Sequence, residues 1–226
     1  MNKPDTAKPL KPRRGRPPGR PHAQPDAADQ RTRLIEIALA LYAKQGYAGT
    51  TLAAIARAAD MTPAAVHYYF KTREQLFDEI HEAHIVPMRK HVEAIFHEHA
   101  GDPVAAFVKV AERFVDVAGE HEWIAPVFFG DLLTEGDTFR KHVKGKVDYK
   151  TQAAFHERIQ AWQATGLLNP ELDPSLIMPS IMSLTMLFMA ARRKWKDDPI
   201  RKEVTRATIR RHAMALLGHG LGPPKA

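Results

Sequence analysis

The stretch 61–77, MTPAAVHYYFKTREQLF, carries two helix starts ten residues apart. Thr62 can cap one helix, with Pro63 in the first position, where a missing N–H costs little. Thr72 and Gln75 form a capping box that opens the next. The piece between them is too short to be stable alone, and it carries His67, Tyr68 and Tyr69 in a row. Any fold of this chain must hold a short aromatic helix in place from outside.

The flanking pattern is helical on both sides. Leu34, Ile37, Ala38 and Leu41 recur at helical spacing over 29–45, with Asp29 as a cap and Gly46 as a left-handed stop. Thr50 is the expected N-cap of the next helix, whose apolar side is Leu52, Ile55, Ala56 and Ala59. The sequence ADMT then makes a tight turn. Val66 and Phe70, four residues apart, give the short third helix one core-facing side. Further helices are expected near 73–99, 103–118, 121–133, 138–165, 174–194 and 200–217, separated by turn clusters such as AGDP, EGD and KDDP. No segment alternates with period two, so the fold class is all-α. The expected organisation is a basic arm over 1–28, a helix-turn-helix domain over 29–75, and a larger helical domain over 76–222.

Two helices joined by a three- or four-residue turn, the second projecting, make a helix-turn-helix able to enter a major groove. Pro63, Ala64, Ala65, His67 and Tyr68 are left facing outward or sideways, near base edges. Ala64 and Ala65 permit close approach and contact with thymine methyls. His67, Tyr68 and Tyr69 can donate hydrogen bonds to bases or phosphates. Lys71 and Arg73 add charge at the helix end, and the helix N-termini at Thr51 and Thr62 offer free N–H groups to phosphate. The competing reading makes Tyr68 and Tyr69 half-buried packing residues.

The segment TTLAAIARAADMTPAAVHYYFKTREQLF resembles the DNA-binding domain of TetR-type transcriptional regulators. The resemblance rests on Thr51, Ile55-Ala56, Ala59, Tyr69-Phe70, Arg73 and Leu76, and covers residues 31–77, about a fifth of the chain. Asp60 stands where the family usually has a turn glycine, and His67 where a tyrosine is common. Asp is among the residues that tolerate left-handed geometry. The resemblance implies a homodimer on a palindromic double-stranded DNA operator, with a variable C-terminal domain whose small-molecule effector releases the operator. It also implies phosphate contacts from Thr51, Tyr69 and Arg73.

Charge agrees with a polyanion partner. Of a net charge of +7, residues 1–21 carry seven basic side chains against Asp5 alone, so the remainder is close to neutral. RRGRPPGRP, with Arg13, Arg14, Arg16 and Arg20, resembles an AT-hook core. Its glycine allows close approach to a narrow minor groove, whose negative potential draws the arginines. The other reading is a generic basic tail that touches phosphates without preference. The chain has no cysteine, so no disulfide framework or thiolate metal site is possible. A cytoplasmic location is expected. The longest apolar segment, 176–191, falls short of the roughly 18 residues of a membrane span, so no membrane partner is expected.

In the C-terminal part, Phe107, Trp123, Phe128, Met182 and Met186 are candidates for an effector pocket between helices, or simply ordinary core. The helices near 174–194 and 200–217 are the candidates for a two-fold, four-helix dimer interface. His81 and His84 lie near Glu79 and Glu82, so a metal site is conceivable. The expectation is that they are solvated, with no metal and no cofactor. Phosphate-binding glycine loops and nucleophile motifs are absent from the sequence, so no enzymatic activity is expected. Three classes of function are weighed: a ligand-responsive repressor, an architectural DNA-binding protein that needs no ligand, and a helical enzyme with an incidental basic arm.

Overall fold

The computed structural model describes residues 27–130 and 149–224. The basic arm, with Arg13, Arg14, Arg16 and Arg20, lies outside the described residues, as do the EGD break and the start of the helix expected over 138–165. No strand occurs among the described residues.

The N-terminal head consists of α1 (Ala27–Gln45), α2 (Leu52–Ala58), α3 (Pro63–Tyr69) and α4 (Arg73–Ile80). Its core is Leu34, Ala38, Tyr42, Ile55, Ala56, Val66, Phe70, Leu76 and Phe77, all essentially without solvent contact. Tyr42, Tyr47 and Phe77 pack edge to face or tilted, with ring centroids 5.0–6.2 Å apart. Burial pushes the Tyr42 hydroxyl well above its ordinary pKa. Gly46 has φ +70 and ends α1 as expected. Three local expectations need correction. The first helix begins at Ala27, so Asp29 lies in its first turn and does not cap it. The cap of α2 is Thr51, because Thr50 is buried and spends its hydroxyl on Gly46 O at 2.8 Å. At α4 the Thr72 oxygen accepts from Gln75 N at 3.1 Å, but Gln75 Oε1 accepts from Lys71 N, one residue before the cap.

From α4 the chain runs through a π-helical turn, His81–Ile85, directly into α5 (Val86–Glu98). The helix expected over 73–99 is therefore interrupted by a wide turn just before Pro87. Pro87 has no N–H to give, and its ring would crowd a carbonyl one α-turn back. In the wide turn Val86 N–H reaches back five residues to His81 O. Ile80 and Ile85 are both buried. Five residues on a regular helix would place them about 140° apart, and the wide turn brings them to one side.

The body is built around α6 (Pro103–Glu120), capped by Asp102, whose carboxylate accepts from Ala105 N at 2.9 Å. Its residues Ala106, Phe107, Val110, Ala111, Phe114, Val115, Val117 and Ala118 are all buried. Around it lie α5, α7 (Ile124–Gly130), α8 (Tyr149–Ala164), α9 (Pro174–Met182), α10 (Phe188–Ala191) and α11 (Arg206–Gly220). The last helix starts later than expected, since 201–203 form a turn and Thr205 supplies the cap. Phe96, Phe107, Phe155 and Trp162 form one aromatic cluster. Asp116 on α6 pairs with both Arg206 and Arg210 of α11. The α8–α9 loop is tied down by Gln163, which donates to Asn169 O and Leu172 O, and by Asn169 N, which donates to Leu221 O.

A second π-helical turn, Ser183–Leu187, joins α9 to α10, and a 3₁₀ turn extends the run to Lys194. Thr185 sends its hydroxyl to Ile181 O at 2.7 Å within this run. The whole stretch Pro174–Lys194, 21 residues, is long and apolar enough to cross a membrane by length and composition. That corrects the shortfall expected from sequence. Here Ile177, Ile181, Thr185, Met186 and Met189 are buried in the bundle, and the run packs on α6 and α11.

Candidate nucleic-acid interface

Two short helices and the turn between them form the projecting end of the head. Thr51 and Thr62 each sit in extended backbone and accept from the N–H three residues on, at 3.1 and 3.2 Å. Each cap leaves neighbouring N–H groups of its first turn free. Asp60 between the helices has φ 56, the one non-glycine in the left-handed region among the described residues. Gln30 Nε2 reaches Met61 Sδ at 3.0 Å and ties this turn to α1.

On α3, Val66 and the capping residue Phe70 point into the head. Pro63, Ala64 and His67 are exposed, Ala65 is half-buried, and Tyr68 is 80% exposed. These five residues, expected near base edges, therefore form the outward side of α3. Tyr69 is half-buried and meets Tyr68 edge to face at 5.2 Å. The packing reading suits Tyr69 and fails for Tyr68. His67 Nδ1 lies 3.2 Å from Lys71 O, and the Lys71 side chain is exposed. Arg57 on α2 is also exposed and was not singled out from sequence.

Arg73 is placed differently from the other expected phosphate ligands. Its guanidinium lies over the Tyr47 ring at 4.3 Å and donates to Tyr47 O and Thr50 O, both at 3.4 Å. It therefore braces α4 against the α1–α2 loop. Arg31 on α1, which has no motif around it, is similarly engaged. It pairs bidentately with Glu79, donates to Tyr69 O and lies over the Phe70 ring. The hydrogen bond it donates to Glu79 pushes the Arg31 pKa further up.

The candidate effector residues do not come together. Phe107 and Met186 are fully enclosed core, and Trp123 is buried beside His84 and His121. Phe128 is half-buried. Met182 lines an open groove of about 850 Å³ between α8 and α9, with Phe155, His156, Met178 and Pro179. A second groove, about 400 Å³, lies between α9 and α11 and is walled by Leu172, Leu176, Ile177, Leu216 and Leu217. His81 is 2% exposed, not solvated as the sequence suggested. His84 is half-buried, its pKa lowered by burial and by the nearby His121. Among the described residues no three metal-binding side chains converge.

A domain profile described as "Bacterial regulatory proteins, tetR family" matches residues 34–80. The HTH-type transcriptional regulator AcrR of Shigella flexneri is 32% identical over 88 residues, 38% of this chain and 40% of that protein. The uncharacterized HTH-type transcriptional regulator YerO of Bacillus subtilis is 22% identical over 163 residues, 71% of this chain and 56% of that protein. The chain thus spans about half, or less, of the length of these relatives. In fold, it is similar to the ketosteroid transcriptional regulator KstR2 of Mycobacterium tuberculosis. The TM-score is 0.61 at 16% identity, over 85% of this chain and 95% of that one.

Proposed function

We propose that this chain is a sequence-specific transcriptional repressor of the tetR type, a reading supported by the match of residues 34–80 to that family's profile. In this reading it acts in the cytoplasm as a dimer on a palindromic operator, and a small molecule releases it. The observation that carries the reading is the exposed side of α3: small residues, a histidine and a bare tyrosine on a helix whose other side buries Val66 and the capping Phe70. Nothing in the core of the head explains an 80% exposed tyrosine, whereas a groove-reading helix needs one wet, hydrogen-bonding side.

In this mechanism Thr51, Thr62, Tyr69 and Lys71 set the head on phosphates, and the helix N-termini add N–H donors. Pro63, Ala64, Ala65, His67 and Tyr68 meet base edges. Arg73 contributes charge while bracing the loop beneath α2. The arm, 1–28, adds phosphate or minor-groove contacts, and 76–222 hold the effector and the partner subunit. Support for dimerisation comes from Leu176, Leu187 and Leu216, which are 38–59% exposed on the run 174–194 and on α11. Leu176 and Leu216 wall one groove between α9 and α11, and apolar side chains grouped in this way favour a protein partner over water. A two-fold pairing there gives half-sites about 34–36 Å apart, or a multiple of that. The same pairing accounts for the apolar run 174–194 without a membrane.

The test is footprinting on the DNA upstream of the chain's own gene, followed by a small-molecule screen on that complex. The expected result is a protected palindrome that a ligand releases. Absence of protection on any duplex, or protection that persists when residues 62–71 are altered, defeats the proposal.

A further inference from the structure

The recognition candidate α3 spans Pro63–Tyr69, under two turns of helix. So short a helix has little stability of its own, and its pose must be imposed at both ends. The N-terminal end is fixed by the Thr62 cap, Pro63 and the left-handed Asp60. The C-terminal end is fixed from another part of the chain, by Arg31.

One guanidinium there meets three groups on two elements. Arg31 Nε donates to Glu79 Oε2 on α4 at 2.9 Å, and a terminal nitrogen completes the bidentate pair on Oε1. The other terminal nitrogen donates to Tyr69 O, at the last residue of α3, at 2.6 Å. The group itself lies 4.4 Å from the centroid of the Phe70 ring, the capping residue of α3. A carbonyl at a helix C-terminus lacks an intrahelical partner, and a positive charge is favourable there. A planar fork can satisfy a carboxylate and a carbonyl at once while stacking on a ring. An ammonium cannot. Glu79 belongs to the helix that runs on into the body, so the contact also ties the pose of α3 to α4.

We infer that Arg31 is a positioning residue for base recognition: its fork locks the C-terminal end of α3 to α4 and so aims Tyr68, His67 and the alanines at the groove. The inference rests on the reading of α3 as the base-reading helix. Arg31 touches no base in this account, so it acts through α3 and adds nothing to the count of phosphate contacts.

The experiment uses the full chain and a duplex library with a randomised core. Enrichment identifies the preferred duplex, and affinity for it and for a scrambled duplex is then measured over a range of salt. Arg31→Lys is expected to weaken the preferred duplex about tenfold, the scale of removing one charged hydrogen bond. It should also flatten the base preference and leave the salt slope unchanged. Melting is followed in parallel, and assays are run well below the transition. Glu79→Gln, a milder change that keeps the fold testable if Arg31→Lys does not, should move affinity and preference in the same direction by less. Preference and affinity equal to wild type in both variants overturn the inference. So does a salt slope lower by about 0.9 with preference intact, which marks Arg31 as a phosphate contact. So does a fall in melting temperature alone. A wild-type chain that enriches no sequence overturns the DNA-binding reading, and this inference with it.

Discussion

The groove between α9 and α11 gives the proposed dimer a measurable strength. Leu176 and Leu216 are 59% and 48% exposed, so roughly half of each side chain remains to be buried by a partner. Full burial of a leucine is worth about 1.5–3 kcal/mol, which leaves about 1 kcal/mol for each to gain on association. A two-fold interface uses the same patch on both subunits, so the pair counts twice, about 4 kcal/mol in all. At about 1.4 kcal/mol per decade, Leu176→Ala with Leu216→Ala should raise the dimer Kd roughly a thousandfold. The change lies outside the monomer core, so helix content should be unaffected. Sedimentation velocity across a concentration series reads the effect directly. A dissociation constant that shifts less than tenfold refutes the reasoning, because these side chains would then not be at the interface.

Asp60 holds a left-handed backbone, which costs an L-residue about 1–2 kcal/mol. Asp60→Gly should therefore be tolerated, whereas Asp60→Val should lower the melting temperature and DNA affinity together, as a paired thermal melt and binding titration will show. Arg73→Ala removes the brace over Tyr47 and should weaken binding to all duplexes about equally; a weakening confined to one sequence in a binding panel refutes this. His84 is held below the ordinary histidine pKa of 6.5 by burial and by His121, so the unfolded chain binds its proton more readily. Stability from this site is present above the ordinary value and lost on acidification. Going from about pH 7.5 to about pH 5.5, chemical denaturation should show wild type losing more than His84→Gln. Deleting residues 1–21 should lower the salt slope of DNA binding by about 0.9 for each phosphate that the arm neutralises. Replacing Arg14 and Arg16 with alanine should hurt most on A·T-flanked duplexes if the arm reads the minor groove, and equally on all flanks if it does not.

What could be read from the sequence was local. The Thr62 cap, the left-handed Gly46 and Asp60, and the inward pair Val66 and Phe70 each follow from a few neighbouring residues, and each is where the pattern put it. The misses are contacts between residues far apart in the chain. Arg31 and Glu79 are 48 residues apart, and Asp116 meets Arg206 and Arg210 across ninety or more. No periodicity encodes such pairs. His81 looked solvated because its neighbours Glu79 and Glu82 are charged, yet the π-helical turn rotates it inward. The five-residue step from Ile80 to Ile85 was the visible sign of that turn, but a search for steps of three and four passes over it. The five candidate pocket residues were chosen by chemistry alone, and the fold distributes them among core and groove.

The wide turn at 81–85 also gives the joint between head and body some slack. A regular helix fixes the rotation between its two ends by the number of residues between them, so an added or removed residue turns one end by about 100°. Here one extra residue is taken up as a bulge, and Ile80 before it and Ile95 after it are both still buried. Removing a single residue from 81–85 would then draw the bulge out into ordinary helix while both ends keep the sides they bury. With Pro87 replaced as well, since its ring crowds a carbonyl of an ordinary α-turn, the joint can thus change length by one residue without re-aiming the head against the body.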